Sequence, residues 1–449
     1  MANQQAGLAR PALEIPVVGK VQATVDIPGS KSYTNRAIMC ACLADGRSSL
    51  KNASSCEDTR LLTDALGELA FTISDQQAGP ASQQAGPARA REHKELIIEG
   101  LNGEIPARRA NLDLGNAGTS IRFLMSFLAL SHGDFVLDGD ERMRQRPVDD
   151  LLVALNHLGC RALSVHNNGC PPVVIVGSGL SGGRVDISGE RSSQFASSLL
   201  LAAPYASAPL DIGVRGKLVS RPYIQMTRQT MAAFGVETEE IKGADEVVYR
   251  VKSGQGYRAT EYTVEPDASG ATYFWALAAI TGGRIFTPGF AKDSLQADLR
   301  FLELLTRMGA KVTWRDGGVE VVGGALTGID ADLGDLPDAV PTLAVTALFA
   351  KGATTIRGVP HLRIKESDRI ATLRKELEKL GASVEEREDG LEIRPGTLRN
   401  ATIETYNDHR IAMSFAIAGA ARGGVRVEGP SCVEKSFPDF FDRLMMLRS

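Results

Sequence analysis

Residues 299–314, LRFLELLTRMGAKVTW, carry two conformational signals joined at one glycine. Phe301, Leu302, Leu304, Leu305 and Met308 recur at helical spacing, with Arg300, Glu303 and Arg307 on the other face. Gly309 follows where a helix is expected to end in a left-handed residue, and Val312-Thr313-Trp314 then read as a strand. The same plan appears in LLTDALGELAFTI (61–73), DLLVALNHLGCRALSV (150–165), MTRQTMAAFGVETEEI (226–241) and ATLRKELEKLGASVEE (371–386). The terminators Gly159, Gly235, Gly309 and Gly381 stand 76, 74 and 72 residues apart, a period that marks repeated units.

Between these copies lies a second kind of segment, polar at its start and apolar afterwards. Examples begin at SKSYTNRAIMCACLAD (30–45), NAGTSIRFLMSFLAL (116–130), SSQFASSLLLAAPYA (192–206), DASGATYFWALAAITGG (267–283), LPDAVPTLAVTALFAKG (336–352) and DHRIAMSFAIAGAARGG (408–424). Six such segments alternate with the five amphipathic helices, and FPDFFDRLMML closes the chain with another helix. This predicts six units of one two-helix, multi-strand motif, arranged as two domains of three. The first amphipathic copy ends about 90 residues before Gly159, a gap that an insertion explains. Gln-Gln-Ala-Gly-Pro-Ala occurs there at 76–81 and 83–88, so residues 75–92 are expected to form an exposed hairpin extension or disordered loop without chemistry.

Composition narrows the function. Of 449 residues 43% are hydrophobic and 23% charged, and 50 Lys+Arg against 54 Asp+Glu give a net charge of -4. That balance gives no overall attraction to nucleic acid or anionic lipid, so any anionic ligand must be held by local cations. No stretch approaches the roughly 18 apolar residues of a membrane span. The six cysteines form no CxxC pair or zinc spacing, and the first residues lack the order of a secretory signal. A cytoplasmic protein with free thiols is expected. Gly177, Gly179 and Gly182 match GxGxxG, but GGRVDIS follows where a dinucleotide site needs a helix, so a turn between strands is predicted.

The polar starts of the second class of segment hold the chemistry. Pro28-Gly29-Ser30-Lys31-Ser32-Tyr33-Thr34-Asn35-Arg36 opens a helix with cations where the dipole alone favours acids, which points to a bound anion. Leu114 to Ser120 (LGNAGTS) and Ser192-Ser193-Gln194 repeat the design with small and hydroxyl residues. Arg142, Arg144 and Arg146 concentrate guanidinium groups suited to carboxylate or phosphate, although Arg142 and Arg144 also fit a solvated face. Pro147 is expected to start the next helix. In the second half, Asp338, Lys365, Glu366, Arg369, His409, Arg410 and Lys435 stand at loop-to-helix junctions. Lys365 with Glu366 can form a tuned acid/base pair, and Arg369 lies on the same helical face as Glu366. His409 reads equally as a site residue or as a satisfied helix-cap histidine.

Ten motifs together, PGSKSYTNRA, LGNAGTSIRF, GDERMRQRPVDDL, SSQF, LVSRPYIQMT, VEPDASGATYF, LPDAVPTLAV, RIKESDRI, YNDHRIAMSFA and KSFPDFF, resemble the 5-enolpyruvylshikimate-3-phosphate synthase (3-phosphoshikimate 1-carboxyvinyltransferase) family, in order from about residue 16 to 445. The resemblance implies an α/β (α+β) protein, a two-domain inside-out α/β barrel with three βαβαββ units per domain and the active site in the interdomain cleft. Residues 1–28 plus 266–449 would form one domain and 29–265 the other. It implies transfer of the enolpyruvyl group of phosphoenolpyruvate to the 5-hydroxyl of shikimate 3-phosphate, a step of aromatic amino-acid biosynthesis, through a tetrahedral adduct and with no metal or organic cofactor.

By the same resemblance, Lys31, Ser32, Arg36, Ser192, Ser193, Gln194, Ser220, Tyr223, Asp338, His361 and Lys365 would face shikimate 3-phosphate. Lys31, Gly118, Arg146, Gln194, Arg369, Arg410 and Lys435 would face phosphoenolpyruvate. Asp338 or Glu366 would take the hydroxyl proton, and Lys31, Lys435 or Glu366 would protonate the methylene carbon. A cytoplasmic monomer with no nucleic-acid or membrane partner is expected. Two positions depart from the family pattern: His361 stands where Asn is usual, and Phe123 where Pro is common, which would reshape the helix bearing Gly118. Gly118 is the position whose replacement by Ala marks many glyphosate-tolerant members, so sensitivity to glyphosate is expected. The rival readings are the sister transferase acting on UDP-N-acetylglucosamine, whose loop Cys has no counterpart after NAGT, and a non-catalytic anion-binding module, which would need no acid/base pair.

Overall fold

A computed structural model of the chain describes residues 11–77, 94–216 and 218–448. The amphipathic helices are Glu57–Glu68, Asp149–His157, Arg221–Ala233, Phe301–Met308 and Arg369–Lys379. Gly159, Gly235, Gly309 and Gly381 all take positive φ (91°, 84°, 118° and 99°) just beyond the last turn. Each makes the paired hydrogen bonds of a Schellman cap; at Gly309 its own N–H reaches the Thr306 carbonyl at 3.0 Å, and Ala310 N–H reaches Leu305 at 2.9 Å. The first copy makes the same cap with Ala70, whose φ is 69°.

The second class of helix is buried on every side, as its unbroken apolar run requires. Ala268–Thr281 is buried from Ala268 through Ala279, and His409–Arg422 from His409 through Ala420. These two pack with Val340–Thr346, while Lys31–Leu43, Gly118–Ala129 and Ser193–Ala202 pack with one another. Each trio forms the axis of a lobe. Hydroxyls stitch the axes together: Thr342 Oγ1 lies 3.2 Å from Thr272 Oγ1 and 3.5 Å from Ser414 Oγ, and Ser198 donates to Ser126 at 2.6 Å.

Around the axes lie, among the described residues, six small sheets, five of four strands and one of three. The repeating plan is clear in Gly183–Ser188, Leu210–Arg215, Glu239–Lys242 and Glu246–Val251. The first two strands pair in parallel around the buried helix, and the hairpin of the last two adds antiparallel to the second. The amphipathic helix joins the second strand to the hairpin. Gly177, Gly179 and Gly182 fall between the strands Val173–Val176 and Gly183–Ser188, as a turn.

Three strands come from distant sequence. Gln22–Thr24 pairs in parallel with Arg284–Pro288, Glu261–Thr263 with Asp45–Ala53, and Ala12–Glu14 runs antiparallel to Val425–Glu428. One core therefore gathers Ile15 to Ile27 with Ala268 to Leu444, and a second gathers Ala37 to Tyr257. The two crossings run side by side: Ser30 N–H donates to the Glu265 carbonyl and Asp267 N–H to that of Pro28, at 2.8 and 2.9 Å. Gly29 is required here, because a Cβ would lie 1.7 Å from the Asn52 carbonyl oxygen. Strands Thr72–Gln77 and Lys94–Leu101 pair out to Gln77 opposite Lys94, so the expected insertion leaves from a hairpin stem. Its loop, 78–93, lies outside the described residues.

Candidate active site

Five of the six buried helices bring their first residues, or the turn leading into them, to one narrow cavity of about 60 Å³ between the lobes. Lys31, Ser32, Gly118, Thr119, Ser193 and Gln194 come from one lobe and Pro337, Asp338, His409 and Arg410 from the other. The construction follows from the repeat, since each unit aims a helix N-terminus, with its free N–H groups and positive dipole end, the same way. Ser192 caps its helix by accepting from Gln194 N–H.

Cations dominate the first wall. Arg36 is 1% exposed, donating from Nε to Thr227 Oγ1 at 2.7 Å and from Nη1 to the Ser32 carbonyl at 2.8 Å. Burial brings its pKa down to about 10. Its guanidinium lies 5.3 Å from the centre of the Phe123 ring. Phe123 thus does not reshape its helix, which runs unbroken through Gly118–Ala129, and instead supports a site arginine. Arg146 donates to Asn116 Oδ1 at 2.9 Å and lies 3.7 Å from Glu366 Oε1 across the cleft. Arg122 donates to Gln194 Oε1 at 2.5 Å, and burial with the neighbouring Arg146 lowers its pKa to about 9.

The opposite wall holds two carboxylates gripped by guanidinium groups. Asp338 accepts from Arg410 Nη2 at 2.7 Å, Arg369 Nη1 at 3.1 Å and Tyr223 Oη at 3.3 Å. Burial would raise its pKa, but Arg410, Arg369 and Lys365 outweigh that and hold it well below the usual carboxylate range. Glu366 accepts from Arg369 Nη2 at 2.8 Å and is held low in the same way, with burial overcome by Arg369 and Arg146. Asp408, fully buried, fixes Arg369 by accepting from Nε at 2.8 Å. Both site carboxylates are weak bases while these cations are theirs alone. An incoming anion that shares the guanidiniums raises their proton affinity, so proton acceptance is coupled to ligand binding. Lys365 titrates nearer neutrality, its pKa lowered by burial to about 8.

Fifteen of the seventeen residues given a site role by the family resemblance line this cavity: Lys31, Ser32, Arg36, Gly118, Arg146, Ser192, Ser193, Gln194, Ser220, Tyr223, Asp338, Lys365, Glu366, Arg369 and Arg410; His409 lines it as well. Lys435 stands just behind, donating to Asp58 Oδ1 at 2.6 Å and to the Asn116 carbonyl at 2.7 Å. His361, buried in the turn Pro360–Ile364, is not on the wall. Arg142 crosses the cleft to the Lys365 and Arg363 carbonyls, whereas Arg144 pairs outside with Asp138. Pro147 precedes its helix, which begins at Asp149 after Val148.

His409 is not a satisfied cap: its ring nitrogens are buried without hydrogen bonds, and burial with Arg410 and Lys31 pushes its pKa well down. Asp58 escaped the sequence reading altogether. It accepts from Lys31 Nζ at 2.7 Å as well as from Lys435, partners 27 and 377 residues away, and its own surroundings resemble any acidic first turn.

The family described as EPSP synthase (3-phosphoshikimate 1-carboxyvinyltransferase) matches residues 16–444. The 3-phosphoshikimate 1-carboxyvinyltransferase of Nostoc punctiforme is 43% identical over 97% of this chain and 99% of its own, and that of Shewanella baltica 40% identical over the same shares. EPSP synthase from Acinetobacter baumannii superposes with a TM-score of 0.78 at 26% identity, covering 97% of this chain and 98% of that one. The enolpyruvyl transferase NikO from Streptomyces tendae shares the fold, with a TM-score of 0.78 at 18% identity and 98% of each chain covered.

Proposed function

Since the chain belongs to the EPSP synthase (3-phosphoshikimate 1-carboxyvinyltransferase) family, we propose that its cleft transfers the enolpyruvyl group of phosphoenolpyruvate to the 5-hydroxyl of shikimate 3-phosphate, releasing phosphate. The observation that carries this reading is the meeting of Lys31, Arg36, Arg146, Arg369 and Arg410 with Asp338 and Glu366 around one cavity. Two substrates bearing two phosphates and two carboxylates require such a cation excess, and the transfer requires a base and an acid.

Ser32, Arg36, Ser192, Ser193, Gln194, Ser220, Tyr223, Asp338 and Lys365 hold shikimate 3-phosphate, and Lys31 serves both substrates. Gly118, Arg146, Gln194, Arg369, Arg410 and Lys435 hold phosphoenolpyruvate. The 5-hydroxyl oxygen attacks C2 of phosphoenolpyruvate, its proton passing to Asp338 or Glu366, while a proton from Lys31, Lys435 or Glu366 reaches the methylene carbon. The tetrahedral adduct then loses a methyl proton and phosphate, restoring the enol ether. Anion binding shifts Arg369 and Arg410 towards the substrates, which makes the carboxylates competent bases only in the loaded site. The domains divide as 1–28 plus 266–449 and 29–265, and the working form is a cytoplasmic monomer.

The test is phosphate release from phosphoenolpyruvate with each of two acceptors. Release with shikimate 3-phosphate and none with UDP-N-acetylglucosamine is expected. The reverse pattern, or silence with shikimate 3-phosphate, overturns the reading.

A further inference from the structure

Behind the wall that carries Asp338 lies a second buried carboxyl group that the reaction as written does not use. Asp298 is 3% exposed, in the turn Ala297–Arg300 that leads into Phe301–Met308. Ser269 Oγ donates to its Oδ2, and its Oδ1 is buried without a hydrogen-bond partner. The groups around it come from four other elements. Asp267 and Ser269 stand at the start of Ala268–Thr281, and Asp338 leads into Val340–Thr346. Arg410 lies on His409–Arg422 and Tyr223 on Arg221–Ala233. Three carboxyl groups, Asp298 buried and Asp267 and Asp338 half-buried, thus share Arg410 as their common cation, since Arg369 is taken by Asp408, Glu366 and Asp338. Arg410 reaches the same helix as Asp298 does, donating from Nη1 to Tyr273 Oη at 3.3 Å one turn beyond Ser269, and it is the cation that acts on Asp298 most strongly. Burying another carboxylate there without a cation of its own is costly, and the group avoids that cost by keeping its proton.

We propose that Asp298 is a positioning residue for Arg410: protonated, it leaves the guanidinium to Asp338 and to the substrate anions, and ionised, it draws on that guanidinium and adds a negative charge behind an anion site. The pKa supports the placement, being pushed up to about 7 by burial and by Asp338, so the change falls within the working pH range. The sign follows. Below about pH 7 the group is neutral and Arg410 is fully available. Above it, the new charge weakens the hold on phosphoenolpyruvate.

The inference rests on the enolpyruvyl-transfer reading, and two measurements separate the fate of the one from that of the other. Asp298→Asn mimics the protonated acid in shape, so the ratio of wild-type to variant KM for phosphoenolpyruvate cancels the titration of the substrates themselves. That ratio is expected to rise about fivefold between about pH 6 and pH 8.5, with a midpoint near 7, and kcat is expected to move less. Ser269→Ala removes a hydrogen bond that favours the ionised form, so in that variant the midpoint is expected at higher pH. A flat ratio with active wild-type enzyme overturns the inference and leaves the reaction standing. Independently of turnover, infrared difference spectra of wild type minus Asp298→Asn are expected to show a protonated carboxyl at about pH 6 that is gone by about pH 8.5. Its absence at the lower pH overturns the inference whatever the activity.

Discussion

Lys435 and Asp58 form an ion pair at 2.6 Å between the two lobes, and Asp58 at the same time accepts from Lys31 at 2.7 Å. One carboxylate therefore separates two ammonium groups where a phosphate is proposed to bind. Asp58→Asn leaves both cations buried without a full counter-charge, at a cost of about 3 kcal/mol. A lower Tm is expected, together with a larger Tm gain from added inorganic phosphate than wild type shows. Equal phosphate gains in the two proteins remove Asp58 from this role.

Glu366 touches Arg369 at 2.8 Å and faces Arg146 at 3.7 Å. Glu366→Gln keeps the shape and discards the proton-carrying group. Turnover is expected to fall about 100-fold or more, with KM for either substrate changed far less. Unchanged turnover in steady-state phosphate release takes Glu366 out of the mechanism.

At Gly118 a Cβ would stand 2.5 Å from Arg146 Nη2 and 2.6 Å from its Cζ. Arg146 cannot retreat freely, being held by Asn116 and faced by Glu366. Gly118→Ala is expected to raise KM for phosphoenolpyruvate about tenfold and to weaken inhibition by glyphosate at least as much. An inhibition curve of the wild-type enzyme flat into the millimolar range contradicts the premise that this enzyme is sensitive.

Lys365 has its pKa lowered by burial from 10.5 to about 8. A depressed lysine costs stability in full below the folded value, and the cost fades as pH rises towards the unfolded one. Lys365→Met is expected to raise Tm at about pH 7, with the gain vanishing between about pH 8 and 10.5, and to abolish tight binding of shikimate 3-phosphate. A gain that persists at the alkaline end points to packing in place of charge.

Ala70 caps its helix at φ 69°, where the four related caps have glycine. It is exposed and remote from the cleft residues. Ala70→Gly relieves a left-handed Cβ and is expected to stabilise by about 1 kcal/mol with kinetics unaltered. Thermal unfolding checks the first statement, and a lower Tm refutes it.

Much of the architecture could be read from the chain because it is written in local signals that repeat. Gly159, Gly235, Gly309 and Gly381 punctuate the helices wherever they fall, and an unbroken apolar run such as 268–279 has no choice but burial. Most of the site residues that sequence identified share another local property, a place at or near a helix start, whereas Arg146 and Lys435 close short 3-10 turns. Asp58 and Asp298 also stand at helix starts, but each matters through groups supplied by remote segments, and an acidic first turn looks the same whether its neighbours are water or lysine. His409 shows the same limit in reverse: Asp408 caps the helix by accepting from Arg410 N–H at 3.0 Å, and the neighbouring imidazole is buried without a hydrogen bond.

The sheets built from distant strands carry a consequence for synthesis. Every described strand around the core that gathers Ala37 to Tyr257 lies between Asp45–Ala53 and Glu261–Thr263, so that lobe can finish folding while the rest is still being made. The other lobe cannot: Gln22–Thr24 must wait for Arg284–Pro288, and Ala12–Glu14 for Val425–Glu428, far later in the chain. These two strands are thus made long before their partners, and they spend that interval unpaired.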